Sequence, residues 1–219
     1  MEPSVQILLA SPKLVLYTRL FERVLEEERE RQGRFYDDIS LPKKSEFING
    51  KIILPAPVES RHLRTSSRFL HLASIFIELH DLGFVGHERV MISLTRNDYE
   101  PDLCFFRKET AQAFTPDQML FPAPDFIAEI LSPSTAARDR GIKFEDYAAH
   151  GVGEYWLLDP ETEVVEQYVL EGGRYALRLK SGSGEIESTM IDGFLIPVRA
   201  LFDDVAHLRE VQRIVQEHI

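Results

Sequence analysis

Residues 124–160, PDFIAEILSPSTAARDRGIKFEDYAAHGVGEYWLLDP, decide the fold. An apolar run from Asp125 to Leu131 gives way to a polar turn, Ser132 to Thr135. A helical pattern then covers Ala136 to His150, and a second apolar run spans Glu154 to Leu158. Strand, turn, helix and strand in this order form a βαβ unit, whose parallel strands are covered on their faces and therefore read as continuous apolar runs. Glu129 breaks the pattern. It stands between Ala128 and Ile130, where an ionised carboxylate costs about 3–5 kcal/mol unless a partner or a metal compensates it.

The rest of the chain supplies the other layers. Apolar residues Leu14, Tyr17, Phe21, Val24 and Leu25 recur at helical spacing and lead into a run of mixed charge, Glu26 to Gln32, which reads as a solvated helix face. Gly33 is the expected stop, and Tyr36 to Lys44, with Pro42, the expected loop. Between Glu46 and Leu54, two β-rich runs flank Asn49-Gly50, the pair that accepts positive φ at both central positions of a type I′ hairpin. His62, Phe69, Ala73, Phe76 and Ile77 line one face of a helix expected over Arg61 to Leu82, with Gly83 as its cap. Strands are expected at Glu88 to Thr95 and Tyr99 to Phe106, separated by the turn residues Arg96-Asn97-Asp98. Past Pro160 the Gly172-Gly173 pair and the 181–184 turn mark hairpins, and a closing amphipathic helix runs through Val205, Leu208, Val211 and Ile214.

Composition narrows the classes. A chain of 219 residues, 44% hydrophobic and 28% charged, supports one sizeable core. No apolar run approaches the roughly 18 residues of a membrane span. The first residues lack the basic segment and cleavage site of a secretory signal, so the chain reads as cytoplasmic with no membrane partner. Cys104 is the single cysteine, which excludes an internal disulfide and a thiolate metal cluster and leaves a packed thiol. A net charge of −11 argues against holding nucleic acid by bulk electrostatics, since counterion release needs clustered lysines and arginines. A bound divalent cation with a local basic strip still admits a phosphodiester substrate. Phosphate-cradling glycine loops, Gly-x-Ser-x-Gly elbows and zinc-type Cys/His spacings are lacking.

Asp102, inside YEPDLCFF, is a second misfit, because its short carboxylate competes for the backbone of a strand. Two carboxylates on adjacent strands repel in a low dielectric unless a cation bridges them, and hard oxygen donors of this kind suit Mg²⁺ or Mn²⁺. Such a cation activates water against a phosphodiester. Lys143 follows on the helix, four residues after Asp139 and four before Tyr147. It is either half of a surface i,i+4 pair or the charge that orients that water and stabilises the transition state. His62 is a secondary candidate at a helix start.

Glu-Pro-Asp102, then PDFIAEILSPST with Glu129, then ARDRGIKFEDYAAHGVGEYWLLDP resemble the Uma-two family of bacterial proteins, placed in the PD-(D/E)xK restriction-endonuclease-like superfamily. The resemblance runs from about Ser45 to Phe202. It implies a single α/β (α+β) domain, residues 45–202, with an αβββαβ core and a mixed sheet flanked by helices. An N-terminal helical arm, 1–44, precedes it and a C-terminal helix, 203–219, follows. It also implies a metal site formed by Asp102, Glu129 and the backbone carbonyl of Ile130, with Glu46 and His62 in support. Leu131 stands where the superfamily's lysine is found, and Lys143 matches the helix lysine that takes its place in this family. The function implied is a Mg²⁺- or Mn²⁺-dependent endonuclease acting on DNA, with a homodimer suited to cutting both strands. The alternative is an inactive nuclease fold that serves as a dimeric or partner-binding module, in keeping with the acidity and the long first helix.

Overall fold

The computed structural model describes residues 3–37, 44–54, 56–87 and 89–218. The chain forms two compact units, Met1–Leu54 and Pro55–Ile219. The first contains α1 (Pro3–Leu9), α2 (Leu14–Asp37) and the hairpin β1 (Glu46–Ile48) and β2 (Lys51–Ile53). Asn49 and Gly50 adopt φ of 49° and 74°, as a type I′ turn requires, and the register places Glu46 opposite Ile53. α2 does not stop at Gly33. It continues to Asp37 because Phe35 is buried, with its ring 5.7 Å from that of Phe47; burying an aromatic outweighs the roughly 1 kcal/mol that an internal glycine costs a helix. Of the expected loop at 36–44, Tyr36 and Asp37 are helical, and residues 38–43 lie outside the described residues.

The second unit begins with α3 (Ser60–Leu79), followed by β3 (Gly83–His87), β4 (Met91–Ser93), β5 (Asp98–Tyr99), β6 (Leu103–Arg107), α4 (Lys108–Ala111) and β7 (Leu120–Phe121). Then come β8 (Phe126–Ile130), α5 (Ala136–Asp139), α6 (Ile142–Ala149), β9 (Glu154–Asp159), β10 (Val164–Glu171), β11 (Arg174–Ser181), β12 (Glu185–Glu187), β13 (Leu195–Pro197), a 3₁₀ turn and α7 (Asp204–His218). The main sheet has the order β11-β10-β9-β8-β6-β3, in which β8 and β9 are parallel and the remaining pairs antiparallel. The sequence α3, β3, β6, β8, α5/α6, β9 is the expected αβββαβ core. Strand β4 pairs with β5 and with β7, and β12 pairs with β13. Among the described residues no helix is long and apolar enough to cross a membrane.

Three sequence expectations shift. The first core strand is β3, not the run at 88–95: GFVGH offers no apolar alternation, yet it pairs with β6 along its length. Here Gly83 is required by close approach, since a Cβ would lie 2.0 Å from the Phe106 carbonyl oxygen. α3 ends earlier than expected, in a Schellman arrangement. Asp81 takes the left-handed position (φ 53°), Leu82 N donates to Ile77 O at 3.1 Å and Asp81 N to Glu78 O at 3.3 Å. The helix expected at 136–150 is two, broken at Arg140-Gly141.

The core lies between the sheet and α3 and α7. Phe69 of α3 stacks on Trp156 of β9 at 5.4 Å and 2°, while Phe126 of β8 meets the same indole edge-on. Alternation along β8 therefore directs Phe126, Ala128 and Ile130 into this core and turns Ile127 and Glu129 to the opposite face, over which the crossover helices run.

Candidate active site

Glu129 is buried under α6, at 3% exposure. Lys143, also 3% exposed, donates from Nζ to Glu129 Oε1 at 2.9 Å, and Tyr147 donates its hydroxyl to the same oxygen at 3.2 Å. Asp139, 1% exposed, has its Oδ1 3.4 Å from Lys143 Nζ. The spacing of four that puts Asp139, Lys143 and Tyr147 on one face survives the break between α5 and α6. It builds a buried cluster, not a surface pair. The Tyr99 ring closes it, its centroid 5.8 Å from the ammonium, within cation–π range.

Asp102 is not inside a strand as its neighbours suggest. It occupies a bend just before β6, after Pro101. Proline donates no N–H to a ladder, which separates β5 from β6. The antiparallel register of Leu103 with Ala128 and Cys104 with Ile127 extends to place Asp102 across from Glu129. Ile130 N donates to Asp102 Oδ2 at 2.9 Å, and His62 Nε2, from the first turn of α3, stands 3.3 Å from the same oxygen. His62 is buried, and its Nδ1 has no hydrogen-bond partner among the described residues. Asp102, Ile130 N and His62 thus form one group, and Glu129, Lys143 and Tyr147 another, on neighbouring strands. Glu46 belongs to the first unit, where it opens β1 and is buried.

The environment is dry and rich in acid. Asp102, Glu129, Asp139, Lys143 and His62 are all less than a tenth exposed. Carboxylates concentrated in a low dielectric favour binding of a cation. Burial pushes the Tyr155 hydroxyl well up, and the charges of Glu129 and Asp139 push it further; the phenol stays protonated and donates to the Asp139 backbone oxygen at 3.1 Å. Burial likewise pushes up the Cys104 thiol, in keeping with a packed and unreactive cysteine. Among the described residues no three His, Cys, Asp or Glu side chains form a ready-made metal cage. The candidate donors are two carboxylates and a carbonyl, a set compatible with Mg²⁺, which keeps several of its waters. An extended residue directs its N–H and C=O to the same strand edge. The Ile130 carbonyl therefore lies on the Asp102 side, opposite Pro101, which has no N–H to offer it.

A cleft of about 320 Å³ opens beside these residues. His62, Leu131, Ser132 and Pro133 contribute to its lining, and Arg61 and Arg140 also border it. Each arginine is paired with a glutamate, Glu59 and Glu166 respectively. A second polar network, centred on Asp146, gave no signal in sequence. Asn97 and Tyr99 each donate to Asp146 Oδ2 at 2.7 Å, and His150 Nδ1 lies 3.1 Å from Oδ1. It anchors the β5 end against α6 and so fixes the ring that covers Lys143. Tyr147 also went unassigned in sequence, although its spacing of four from Lys143 was the available clue.

The mixed sheet flanked by helices has a nuclease-type fold. A solved structure with this fold, described as a "putative nuclease belonging to DUF820" from Anabaena variabilis ATCC 29413, superposes with a TM-score of 0.64 at 19% identity, covering 75% of this chain and 94% of that one. The chain belongs to the Uma2 family, described as "Putative restriction endonuclease", which matches residues 35–198. It is also 33% identical over 150 residues to protein sll1609 of Synechocystis sp. (strain ATCC 27184 / PCC 6803 / Kazusa), covering 66% of this chain and 84% of that protein.

Proposed function

We propose that this protein is an endonuclease that hydrolyses DNA phosphodiester bonds with the help of Mg²⁺ or Mn²⁺. The carboxylates of Asp102 and Glu129 and the carbonyl of Ile130 would hold the cation, and Lys143 is the catalytic ammonium. The observation that carries this reading is the buried contact of Lys143 with Glu129 at 2.9 Å, on the strand next to the one that Asp102 precedes. A bound divalent cation supplies Lewis-acid charge at the scissile phosphate.

This chain's residues do the rest. Glu129, Asp139 and the Tyr99 face hold the ammonium in place before substrate arrives, so it needs no reorganisation to meet the charge that develops on the phosphate. Tyr147 fixes the Glu129 carboxylate. Ile130 N and His62 fix that of Asp102. The adjoining cleft would admit the nucleotide next to the scissile bond, where a phosphate would compete with Glu59 and Glu166 for Arg61 and Arg140.

The test is Mn²⁺ titration by calorimetry together with plasmid cleavage, comparing the wild type with Asp102→Asn. Metal-dependent cleavage that the substitution abolishes, with weakened Mn²⁺ binding, supports the mechanism; cleavage that survives unchanged sinks it.

A further inference from the structure

The nuclease reading makes no use of a second cleft, of about 440 Å³, on a different face of the N-terminal part of α3. Glu59, Arg61 and His62 line the cleft beside Asp102, whereas Ser60, Leu63 and Arg64 line this one. Ser60, Arg64, Ser67 and His71 follow one another at spacings of four and three, so they share one face of α3, and all four are exposed. Arg68 borders the same cleft, and Asp204 and His207 close it from α7. In a chain of net charge −11, α3 carries three arginines and a single acidic residue, Glu78, at its far end.

These polar groups suit an anion. Arg68 is buried and held from two sides: Nη1 donates to Phe202 O at 2.9 Å, and Nη2 donates to Asp204. The Asp204 side chain is 72% exposed, so an anion can displace it from Arg68 without burying its charge. Arg64 enters no ion pair among the described residues. His207 is 7% exposed, its ring centroid lies 5.7 Å from that of His71, and its Nδ1 is buried with no hydrogen-bond partner among the described residues. A buried polar atom normally has one. Burial lowers the His207 pKa, and the charges of His71 and Arg68 lower it further, outweighing the Ala200 carbonyl and Asp204. The ring is therefore neutral near pH 7. An anionic oxygen seated among Arg64, Arg68 and His71 gives a protonated Nδ1 its acceptor and offsets the charges that keep the proton away.

We propose that the cleft between α3 and α7 binds a phosphate group, held by Arg64, Arg68 and His207, with the hydroxyls of Ser60 and Ser67 as further donors. His207 takes up a proton as the group binds. The phosphate belongs to a nucleic-acid backbone or to a free phosphate compound, and the inference does not rest on the nuclease reading.

The histidine ring resonances of the full chain test it by NMR, with His207 assigned through its loss in His207→Gln. Sodium sulfate, a phosphate mimic that does not itself titrate between pH 6 and 8, is added in EDTA at tens of millimolar and compared with sodium chloride of equal ionic strength. At saturation sulfate should move the His207 titration upward by about one pH unit, as a tenfold preference for the protonated ring requires. Arg64→Ala, an exposed change that should leave the dichroism of the folded protein intact, should weaken sulfate binding by about tenfold. A duplex oligonucleotide in EDTA, followed by anisotropy, then separates the two sources. A backbone phosphate is indicated where Arg64→Ala also weakens oligonucleotide binding, and a free phosphate where inorganic phosphate reproduces the His207 response while oligonucleotide binding is unchanged. A His207 that titrates alike in sulfate and chloride, or that responds equally in Arg64→Ala, overturns the proposal.

Discussion

Lys143→Met removes the Lys143 ammonium from the buried cluster and keeps much of the side chain's volume. Glu129 loses its 2.9 Å partner, and Asp139 the cation 3.4 Å away. Both carboxylates are almost wholly inaccessible, so water cannot replace what is lost. Stripping one member from a buried ion pair costs about 3–5 kcal/mol. For a chain of this length each kcal/mol moves the melting temperature by about 2–4 °C, giving an expected fall of about 6–20 °C. Two controls separate charge from packing. Lys143→Met with Glu129→Gln neutralises the carboxylate left behind, and the pair should show a coupling energy of about 1–3 kcal/mol in a double-mutant cycle. Added Mn²⁺ should raise the melting temperature of Lys143→Met more than that of the wild type, because a cation bound only to the folded state stabilises it by mass action. On the proposed function, cleavage by Lys143→Met falls by about 10²–10³-fold. Calorimetric and dichroism melts with and without metal are the assay. A loss of stability below about 1 kcal/mol, with no coupling to Glu129, refutes the buried-pair reasoning.

Three further outcomes follow from other parts of the fold. Glu154, fully buried, accepts from Trp156 Nε1, Gln167 Nε2, Ser188 Oγ, Thr189 N and Met190 N at 2.6–3.0 Å. Glu154→Ala strands these donors and should cost at least about 4 kcal/mol by urea unfolding. At Glu166 burial acts to raise the carboxyl, but hydrogen bonds from Arg140, Lys180 and Tyr168 outweigh it and hold it at about 2, against an ordinary 4.5. A carboxylate so depressed stabilises the fold above its ordinary value and loses that contribution as pH falls towards 2. Acid unfolding of Glu166→Gln should accordingly depend less on pH between those limits. Gly83→Ala drives a methyl to 2.0 Å from the Phe106 oxygen and should cost more than about 2 kcal/mol in a thermal melt, opening the β3–β6 edge.

Much of the site is written locally in the chain. Glu129 stood out because a carboxylate in a doubly covered strand needs compensation, and the i,i+4 relation among Asp139, Lys143 and Tyr147 is a property of helix pitch alone. The hairpin at Asn49-Gly50 and the βαβ unit of residues 124–160 were legible for the same reason: turn chemistry and periodicity are short-range. Sequence could not tell whether Lys143 faces water or the sheet, since its spacing from Asp139 suits both. That was decided by β8, whose alternation turns Glu129 toward α6.

Other features belong to tertiary structure alone. GFVGH has no strand pattern, and pairing with β6 makes it one, with Gly83 present because the neighbouring backbone leaves no room for a Cβ. Gly33 signals a helix end that burial of Phe35 overrides. Asp102 reads as a strand residue, but Pro101 interrupts the ladder and leaves the carboxylate in a bend, where it meets Ile130 N and His62. The chain by itself determined which residues are costly to bury and which share a helix face, because those follow from side-chain chemistry and backbone periodicity. Which of them meet was decided by strand register and by the path of the crossover, both set by long-range pairing.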